Sequence, residues 1–362
     1  MPFLKDCWYV AAWDHELLGD SLLNRTICGQ PIVFFRTAAG LPVALHDKCC
    51  HRHAPLHLGR KEGDCIRCMY HGLKYDATGR CVEIPGQESI PAKLAQRSFP
   101  VVQRHRWIWI WMGNPARADQ TLIPDTSLMS DPAWRWKPSY LHYKAGQPNI
   151  ADNLLDFSHL SFVHERTFGG SNDIAQARPE VSRIDRGIRV TRSVRNTSPA
   201  PYHQKVGRFT GAVNRWFSYD FVVPGVLRLD ATVRPAEDAD EDDTRALRFH
   251  SCQAITPETD ATTHYFFMQA HAFALDDAVV TESIAQSQHE AFAEDRSILE
   301  AQQHMIDSTP PTPMFNIAAD KALVQYRRIV DELLVAEAAA SPSFAPFTPL
   351  VPQTQDPMET SR

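Results

Sequence analysis

The sequence lacks the segments expected of a protein that enters or crosses a membrane. No apolar run in the 362 residues approaches the roughly 18 residues that a membrane-spanning helix requires. The stretch MPFLKDCWYV at the start has neither the basic region nor the apolar stretch of a signal peptide. We therefore expect a cytoplasmic protein with no membrane partner, in which thiols stay reduced.

An excess of positive charge and internal repeats are also missing. The formal net charge of −6 leaves no basic surface suited to nucleic acid, so we expect no nucleic-acid partner. A hydrophobic content of 43% is enough for a sizeable core. The length favours two domains over one.

The first third of the chain has the pattern of short strands. Two β-rich runs in PIVFFRTAAGLPVALHD meet at TAAG, which predicts a hairpin. In RWIWIWMGNP the period of two puts Trp107, Trp109 and Trp111 on one face and the isoleucines on the other, as in a strand buried on both sides. A polar, proline-bearing segment at 114–133 predicts the domain boundary.

The remaining chain mixes helices and strands. We predict helices at 149–166, 277–306 and 319–338, strands over 178–275, and a solvated acidic loop at 236–243. The end is rich in Pro, Ser and Thr, which indicates an extended or disordered tail. The prediction is an α+β protein with an all-β domain at 1–120, a second domain at 121–338 and a tail at 339–362.

Five of the eight cysteines lie between residues 49 and 81. Reduced thiols clustered with histidines are more typical of a metal site than of disulfides. Cys49-x-His51 is followed, after sixteen residues, by Cys68-x-x-His71. Cys50 and Cys65 are rivals, but Cys50 is adjacent to His51, which is poor geometry for a two-iron bridge, and Cys65 would lengthen the second pair to C-x5-H.

Two metal centres compete for these four ligands. Tetrahedral zinc accepts two Cys and two His, although its motifs usually pair like residues with like. A Rieske-type [2Fe–2S] cluster needs two thiolates on one iron and two imidazoles on the other. Two loops that each supply one Cys and one His meet that need, so the cluster is favoured. Purely structural zinc would leave the protein colourless.

A second group of candidate ligands lies in NIADNLLDFSHLSFVHERTF. Asp156 and His159 are three residues apart and share a helix face. His159 and His164 are five apart and would diverge by about 140° on an ideal helix. A shared metal would therefore need a bend or a helix end between the two histidines. Alone this spacing is a weak signal, and the zinc-protease motif HExxH is absent.

A non-haem Fe(II) site needs two histidines and one carboxylate, with other positions open for O2. Asp295 lies near the middle of an apolar helical stripe, whereas Glu294 lies about 100° away and Glu290 lies with the polar residues. A carboxylate in a buried face is costly unless it is paired or bound to metal. Asp295 is therefore the candidate third ligand. The stripe comprises Ile284, Gln288, Ala291, Phe292, Ile298 and Leu299.

The two constellations together resemble Rieske-type non-haem iron oxygenases, the terminal components of multicomponent systems. The resemblance covers nearly the whole chain and is strongest to the subgroup of vanillate O-demethylase, dicamba monooxygenase and toluenesulfonate methyl-monooxygenase, through CWYVAAWDHEL, IPGQ, AITPETDATTHYFF and FAEDRSILEAQQ. Cys50 stands where the family usually has Pro, and His53 where it usually has Gly. The resemblance implies a helix-grip-like antiparallel sheet in the second domain.

The resemblance also implies an activity and the residues that carry it. A [2Fe–2S] cluster on Cys49, His51, Cys68 and His71 would take electrons from an NAD(P)H-dependent flavin or iron–sulfur reductase, or from a ferredoxin. Fe(II) on His159, His164 and Asp295 would use O2 to oxidise an aromatic substrate. The expected assembly is a homotrimer in which Asp156 bridges His71 of one chain to His159 or His164 of the next. A helix cap or a structural acid is the alternative for Asp156, and Asn153 is a candidate amide near the iron.

The substrate is less defined. Gln253, Gln288 and Arg228 are candidate pocket residues, although strand alternation places Arg228 with Asp230 and Thr232, which favours a solvent-facing pair. Gln253 stands where dicamba monooxygenase has a histidine. O-demethylation of a methoxybenzoate-type acid is the first expectation; ring hydroxylation or cis-dihydroxylation of an aromatic acid is the second. A Rieske electron carrier without oxygenase activity would need only about the first hundred residues.

Overall fold

The computed structural model describes residues 2–207, 209–238 and 245–340. Most of the acidic segment predicted as a loop, and the tail from residue 341 onward, lie outside the described residues. Across the described residues, no helix combines the length and the apolar character that crossing a membrane requires.

The N-terminal part is all-β apart from short 3-10 turns, and its strands form three small antiparallel sheets with the orders β1-β11-β10, β2-β3-β4-β9 and β5-β6-β7-β8. The strands are β1 Trp8–Trp13, β2 Leu23–Ile27, β3 Gln30–Arg36, β4 Pro42–His46, β5 Arg60–Glu62, β6 Cys65–Arg67, β7 Lys74–Tyr75, β8 Cys81–Glu83, β9 Ser98–Phe99, β10 Val101–Arg104 and β11 Trp107–Trp111. The predicted hairpin is confirmed as β3–β4.

The second part is one seven-stranded antiparallel sheet with helices packed against it, in the order β12-β18-β17-β16-β15-β14-β13. Its elements are β12 Ser139–Tyr143, α1 Gln147–Leu155, α2 Asp173–Gln176, β13 Glu180–Ile184, β14 Gly187–Thr197, α3 Pro201–Gly207, β15 Val213–Val222, β16 Val226–Pro235, β17 Leu247–Thr259, β18 Thr262–His271, α4 Ala278–Ser308 and α5 Lys321–Ala340. The predicted α+β architecture is confirmed.

Strand β11 joins the two parts. All five of its residues are buried. Its tryptophans belong to a core that includes Phe266 and Met268 of β18, whereas Ile108 and Ile110 belong to the main core. The predicted division of faces is therefore confirmed, and the tryptophans fill the interface between the two domains. The linker that follows contains three 3-10 turns, at Pro115–Arg117, Gln120–Leu122 and Ser127–Ser130. Placing the domain boundary there stays a prediction.

Two of the predicted elements need correction. Helix α1 ends at Leu155, and a separate 3-10 turn, Phe157–Ser161, follows it. The side chain of Asp156 accepts a hydrogen bond from Ser158 N, which caps the new turn and ends the first helix. The predicted single helix over 149–166 is thus wrong. The region predicted to be strand-like, 178–275, also contains the short helix α3.

Helix α4 crosses the inner face of the sheet and carries the predicted buried stripe. Asp295 is only 3% exposed, and Phe292 stacks on Tyr265 with ring centroids 5.1 Å apart. Ile298 is 56% exposed, so its place in the stripe is wrong. In the C-terminal half of α4 the buried side of the helix carries Gln303, because this half passes from the sheet to α1. The side chain of Gln303 accepts a hydrogen bond from Gly146 N, just before α1.

Candidate metal centres

The first centre is built by two loops with the same backbone design. In the loop after β4, the N–H of Cys49 donates to Ala54 O at 2.8 Å; in the loop after β6, the N–H of Cys68 donates to Leu73 O at 2.8 Å. In each loop, the backbone N–H of the residue four positions after the cysteine donates a hydrogen bond to the carbonyl of that cysteine. Those residues are His53 and Gly72, and both have positive φ, at 60° and 78°.

In both loops the cysteine and the histidine differ in their exposure to solvent. Cys49 and Cys68 are buried, whereas His51 and His71 are exposed with ring centroids 4.5 Å apart. The site thus has a thiol end inside and an imidazole end at the surface. A [2Fe–2S] group needs this separation of two thiolates from two imidazoles, so the residues fit the cluster better than a single tetrahedral ion.

The rival cysteines are placed differently. Cys65 lies in strand β6, paired with Glu62, and not in a ligand loop. Cys50 points toward Tyr75, whose hydroxyl lies 3.1 Å from its sulfur and 3.1 Å from the sulfur of Cys49. The position of Tyr75 beside these cysteines was not predicted from the sequence. Its hydroxyl can donate to a cysteine ligand, and hydrogen bonds of this kind raise the potential of a cluster.

The second centre begins where α1 ends. Nδ1 of His159 donates to the backbone carbonyl of Asp156 at 2.5 Å, which leaves Nε2 free for a metal. The break at Asp156 and the irregular chain after Ser161 supply the bend that the spacing of the two histidines requires. His164 therefore reaches the same point as His159, with ring centroids 5.2 Å apart.

Asp295 closes the triad from α4. Its Oδ1 lies 3.1 Å from Nε2 of His164 and 3.5 Å from Nε2 of His159, and the three ligand atoms lie within 4.8 Å of one another. Ligands on adjacent corners of an octahedron with bonds of about 2.1 Å are about 3 Å apart. The two histidines and one carboxylate thus fit a mononuclear non-haem iron.

Neighbouring groups orient these ligands. Asn153 donates from Nδ2 to Asp295 Oδ1 at 3.1 Å, in agreement with its predicted place near the iron. Nδ1 of His164 donates to Oε2 of Glu294 at 2.8 Å, and Thr167 donates to the same oxygen. Burial lowers the pKa of His159, which favours the neutral imidazole that a metal needs. Burial also lowers the pKa of His164, but its bonds to Asp295 and Glu294 outweigh burial, and the net shift is upward.

The triad opens into a cavity between the sheet and α4, which encloses about 590 Å³ of space including its mouth. The lining is mostly apolar, with Leu154, Phe157, Phe217, Leu229, Ala231 and Phe292 among its residues. Gln253 and Gln288 line it as predicted, and both donate to Oγ of Ser251, at 3.1 and 3.0 Å. Tyr265 donates to Oε1 of Gln253 at 2.5 Å.

Arg228 is not brought to this cavity. It pairs with Asp220 at 2.9 Å and donates to the carbonyl of Asp125 at 3.0 Å. Its candidate role toward substrate is therefore not supported, because its charge is already satisfied elsewhere. The predicted partner was Asp230, but that residue pairs with His250. A different arginine, Arg215, lines the cavity, and its place there was not predicted from the sequence.

The fold and the two centres define a class: an electron-accepting domain joined to a domain that holds iron beneath an apolar cavity. Family models agree with both halves. Residues 7–100 match the Rieske [2Fe-2S] domain, and residues 143–336 match the vanillate O-demethylase oxygenase C-terminal domain.

Relatives cover almost the entire chain. It is 45% identical to the iron–sulfur subunit of the toluene-4-sulfonate monooxygenase system of Comamonas testosteroni, over 92% of this chain and 98% of that protein. It is 33% identical to the oxygenase component of dicamba O-demethylase of Stenotrophomonas maltophilia, over 94% and 100%. The crystal structure of dicamba monooxygenase bound to 3,6-dichlorosalicylic acid superposes with a TM-score of 0.86 at 32% identity, over 94% of this chain and 100% of that one.

The chain therefore belongs to the Rieske non-haem iron oxygenase components. It is an oxidoreductase that uses O2 and carries a Rieske [2Fe–2S] cluster and a non-haem iron. The alternatives of a simple electron carrier and of structural zinc do not agree with this assignment. Relatives in the same family act in the oxidation of aromatic compounds, among them vanillate and dicamba.

Proposed function

We propose that this protein is the terminal oxygenase that oxidises the methyl carbon of a substituted aromatic compound, and that O-demethylation of a methoxybenzoate-type acid is its first activity. The observation that carries the proposal is the position of the triad, which lines a largely apolar cavity together with a few amide groups. Such a cavity accepts an aromatic ring and orients it through few polar contacts. The vanillate and dicamba O-demethylases among the relatives support the choice of reaction.

Bound iron supplies the activation of O2, and the protein positions everything else. His159 and His164 present Nε2 to the metal because their Nδ1 atoms are held by Asp156 O and Glu294. The apolar lining orders the substrate and limits water near the reacting carbon. Hydroxylation of a methoxy carbon gives a hemiacetal, which breaks down to a phenol and formaldehyde without a protein nucleophile.

A second candidate is hydroxylation of a ring-bound methyl group in an arenesulfonate. It is favoured by the 45% identity to the toluene-4-sulfonate monooxygenase subunit, which exceeds the identity to the two demethylases. Both candidates place a methyl carbon near the metal and differ in the atom that bears it. Ring hydroxylation or cis-dihydroxylation of an aromatic acid is the remaining alternative.

Electrons would arrive from an NAD(P)H-dependent reductase or a ferredoxin, in the cytoplasm where NAD(P)H is available. We propose that the protein acts as a homotrimer in which Asp156 connects His71 of one chain to the iron ligands of the next. The exposed ring of His71 supports this arrangement. Asp156 also accepts from Ser158 and lies 3.6 Å from Arg192, but a carboxylate has lone pairs for a further donor.

The test measures products with purified protein, a reductase and NADH. We expect formaldehyde and a phenol from a panel of methoxybenzoates, in step with O2 uptake. Toluene-4-sulfonate would give the benzyl alcohol and no formaldehyde. His159→Ala is the control, because it should keep the cluster spectrum and lose turnover. Ring-hydroxylated products with neither formaldehyde nor a benzyl alcohol would refute the proposed methyl oxidation.

A further inference from the structure

The cavity contains a buried cation that no acid neutralises. Arg215 of β15 lines the cavity and is 1% exposed. Among the described residues it forms no ion pair with any carboxylate, and its Nε has no hydrogen-bond partner. Its Nη1 donates to Gly169 O at 2.7 Å and its Nη2 to Phe168 O at 2.9 Å. Other arginines of this sheet do have acids: Arg192 lies near Asp156, and Arg228 pairs with Asp220.

A buried charge without a counter-charge is costly, so its retention at a cavity needs an explanation. Burial lowers the pKa of Arg215 to about 10, which still leaves the guanidinium charged at neutral pH. A guanidinium has five N–H donors, and two backbone carbonyls use only two of them. The remaining donors and the full charge suit a planar or tetrahedral oxyanion.

On the basis of the proposed oxidation of an aromatic compound, we infer that Arg215 binds an anionic substituent of the substrate, a carboxylate or a sulfonate. The two glutamines that the sequence predicted for the pocket are poorer candidates. Gln253 and Gln288 are neutral and already hydrogen-bonded to Ser251. Arg215 is the one arginine or lysine among the described residues that line this cavity; its Cζ lies 5.1 Å from the centroid of the Phe217 ring, and the anion would supply the acidic partner that the guanidinium lacks.

Arg215 and the triad line the same cavity and are connected through one segment of chain. One of the two carbonyls that Arg215 binds belongs to Phe168, whose ring centroid is 6.2 Å from that of His164. The next residue, Gly169, donates from its N–H to His164 O at 2.8 Å. One short segment therefore connects the cation to an iron ligand. A substrate whose acid lies at Arg215 can present another ring substituent to the metal.

The experiment measures binding separately from turnover, by anaerobic calorimetric titration of protein that carries its cluster and iron. The ligands are two matched pairs: 4-methoxybenzoate with 4-methoxybenzamide, and toluene-4-sulfonate with toluene-4-sulfonamide. Each pair keeps its shape and differs in charge near neutral pH. The variants are Arg215→Gln and Arg215→Lys, with Arg228→Gln as the matched control outside the cavity.

We expect Arg215→Gln to weaken binding of the preferred anion about 10- to 100-fold, which is the usual loss for a hydrogen bond to a charged group. The uncharged amide should bind within about threefold of its affinity for the wild type. Arg215→Lys should lie between, because it keeps the charge and loses the fork of donors. Arg228→Gln should not change either affinity. The pair whose acid loses more affinity in Arg215→Gln shows whether the preferred anionic group is a carboxylate or a sulfonate.

Equal losses for acid and amide in Arg215→Gln would overturn the inference, because they would mean that Arg215 only holds the turn at residues 168–169. Unchanged affinities, or no anion binding to the wild type, would also overturn it. If Arg215→Gln does not fold, the inference is tested with the wild type and Arg215→Lys. An acid that binds to the wild type no more tightly than its amide would refute it. Anion binding through Arg215 without methyl oxidation would refute only the proposed function.

Discussion

The side-chain amide of Asn153 donates to Oδ1 of Asp295 at 3.1 Å. That same oxygen faces Nε2 of His164, also at 3.1 Å. Asn153 therefore fixes the carboxylate in the orientation that the metal needs, although it is not itself a ligand. Partners of this kind commonly change metal affinity when they are removed.

Asn153→Ala is expected to lower the affinity for Fe(II) about 10-fold or more, because Asp295 loses the donor that orients it. The measurement is iron content and Fe(II) titration, with the cluster absorbance as an internal reference. Asn149→Ala is the matched control, since Asn149 forms an equivalent bond between the same two helices, to Gln303 Oε1 at 3.0 Å. Equal iron affinity in the two variants would contradict this role for Asn153.

Tyr75→Phe is expected to lower the reduction potential of the cluster. The hydroxyl lies 3.1 Å from the sulfur of Cys49, and a donor to a thiolate favours the reduced cluster because it offsets negative charge. A difference of about 1 kcal/mol for one electron corresponds to about 40 mV. The measurement is a redox titration followed by optical or EPR spectra.

Cys50→Ala separates the two contacts of Tyr75. It removes the sulfur 3.1 Å from the hydroxyl and leaves the contact to Cys49 intact, so the potential should not fall. A potential that is unchanged in Tyr75→Phe would show that the hydroxyl donates to Cys50 and not to the ligand.

The candidate ligands could be picked out from the sequence because the spacing of metal-binding residues is a local feature. The pairs at Cys49 and Cys68 lie within a few residues of their histidines, and the apolar stripe around Asp295 is visible in helical periodicity. Burial of Asp295 agrees with the prediction, because a carboxylate in that stripe had to find partners.

The polar lining of the cavity could not be predicted in the same way. Arg215 appears on a strand whose pattern does not distinguish a buried cation from an exposed one, and its partners, Phe168 and Gly169, come from a distant loop. Ser251 and Tyr265 acquire their roles only when β17 and β18 pair. Such contacts depend on register across the sheet, which a single sequence does not specify.

Ser251→Ala is expected to raise the KM for the aromatic substrate and to lower the free energy of unfolding by about 1–3 kcal/mol. The hydroxyl accepts from Gln253 and Gln288, so its loss leaves two buried amides without their acceptor. The measurements are steady-state kinetics and denaturant unfolding. Ser287→Ala is the control, because its hydroxyl donates to Ser283 O on its own helix. A wild-type KM in Ser251→Ala would show that the amides do not contact substrate.

The last prediction concerns acid and the contact between the two domains. His264 of β18 donates from Nε2 to Thr26 O of β2 at 3.0 Å and accepts at Nδ1 from Tyr140 at 2.8 Å. Burial lowers its pKa to about 4. Below the ordinary pKa of about 6.5, His264 is therefore protonated in the unfolded chain but stays neutral in the folded protein until the pH approaches 4.

Stability from this group is present above about pH 6.5, falls as the pH drops from 6.5 toward 4, and is constant below that. His264→Gln keeps polar atoms at the site and removes the titration. We expect the difference in unfolding free energy between pH 7.5 and pH 5 to be smaller in His264→Gln than in the wild type, by on the order of 1–2 kcal/mol. The measurement is urea unfolding at both pH values, with cluster content followed in parallel so that cluster loss is not counted as domain unfolding. An equal pH dependence in both proteins would show that His264 is protonated in the folded state as readily as in the unfolded chain, and that the hydrogen bond from Tyr140 to Nδ1 does not keep the ring neutral.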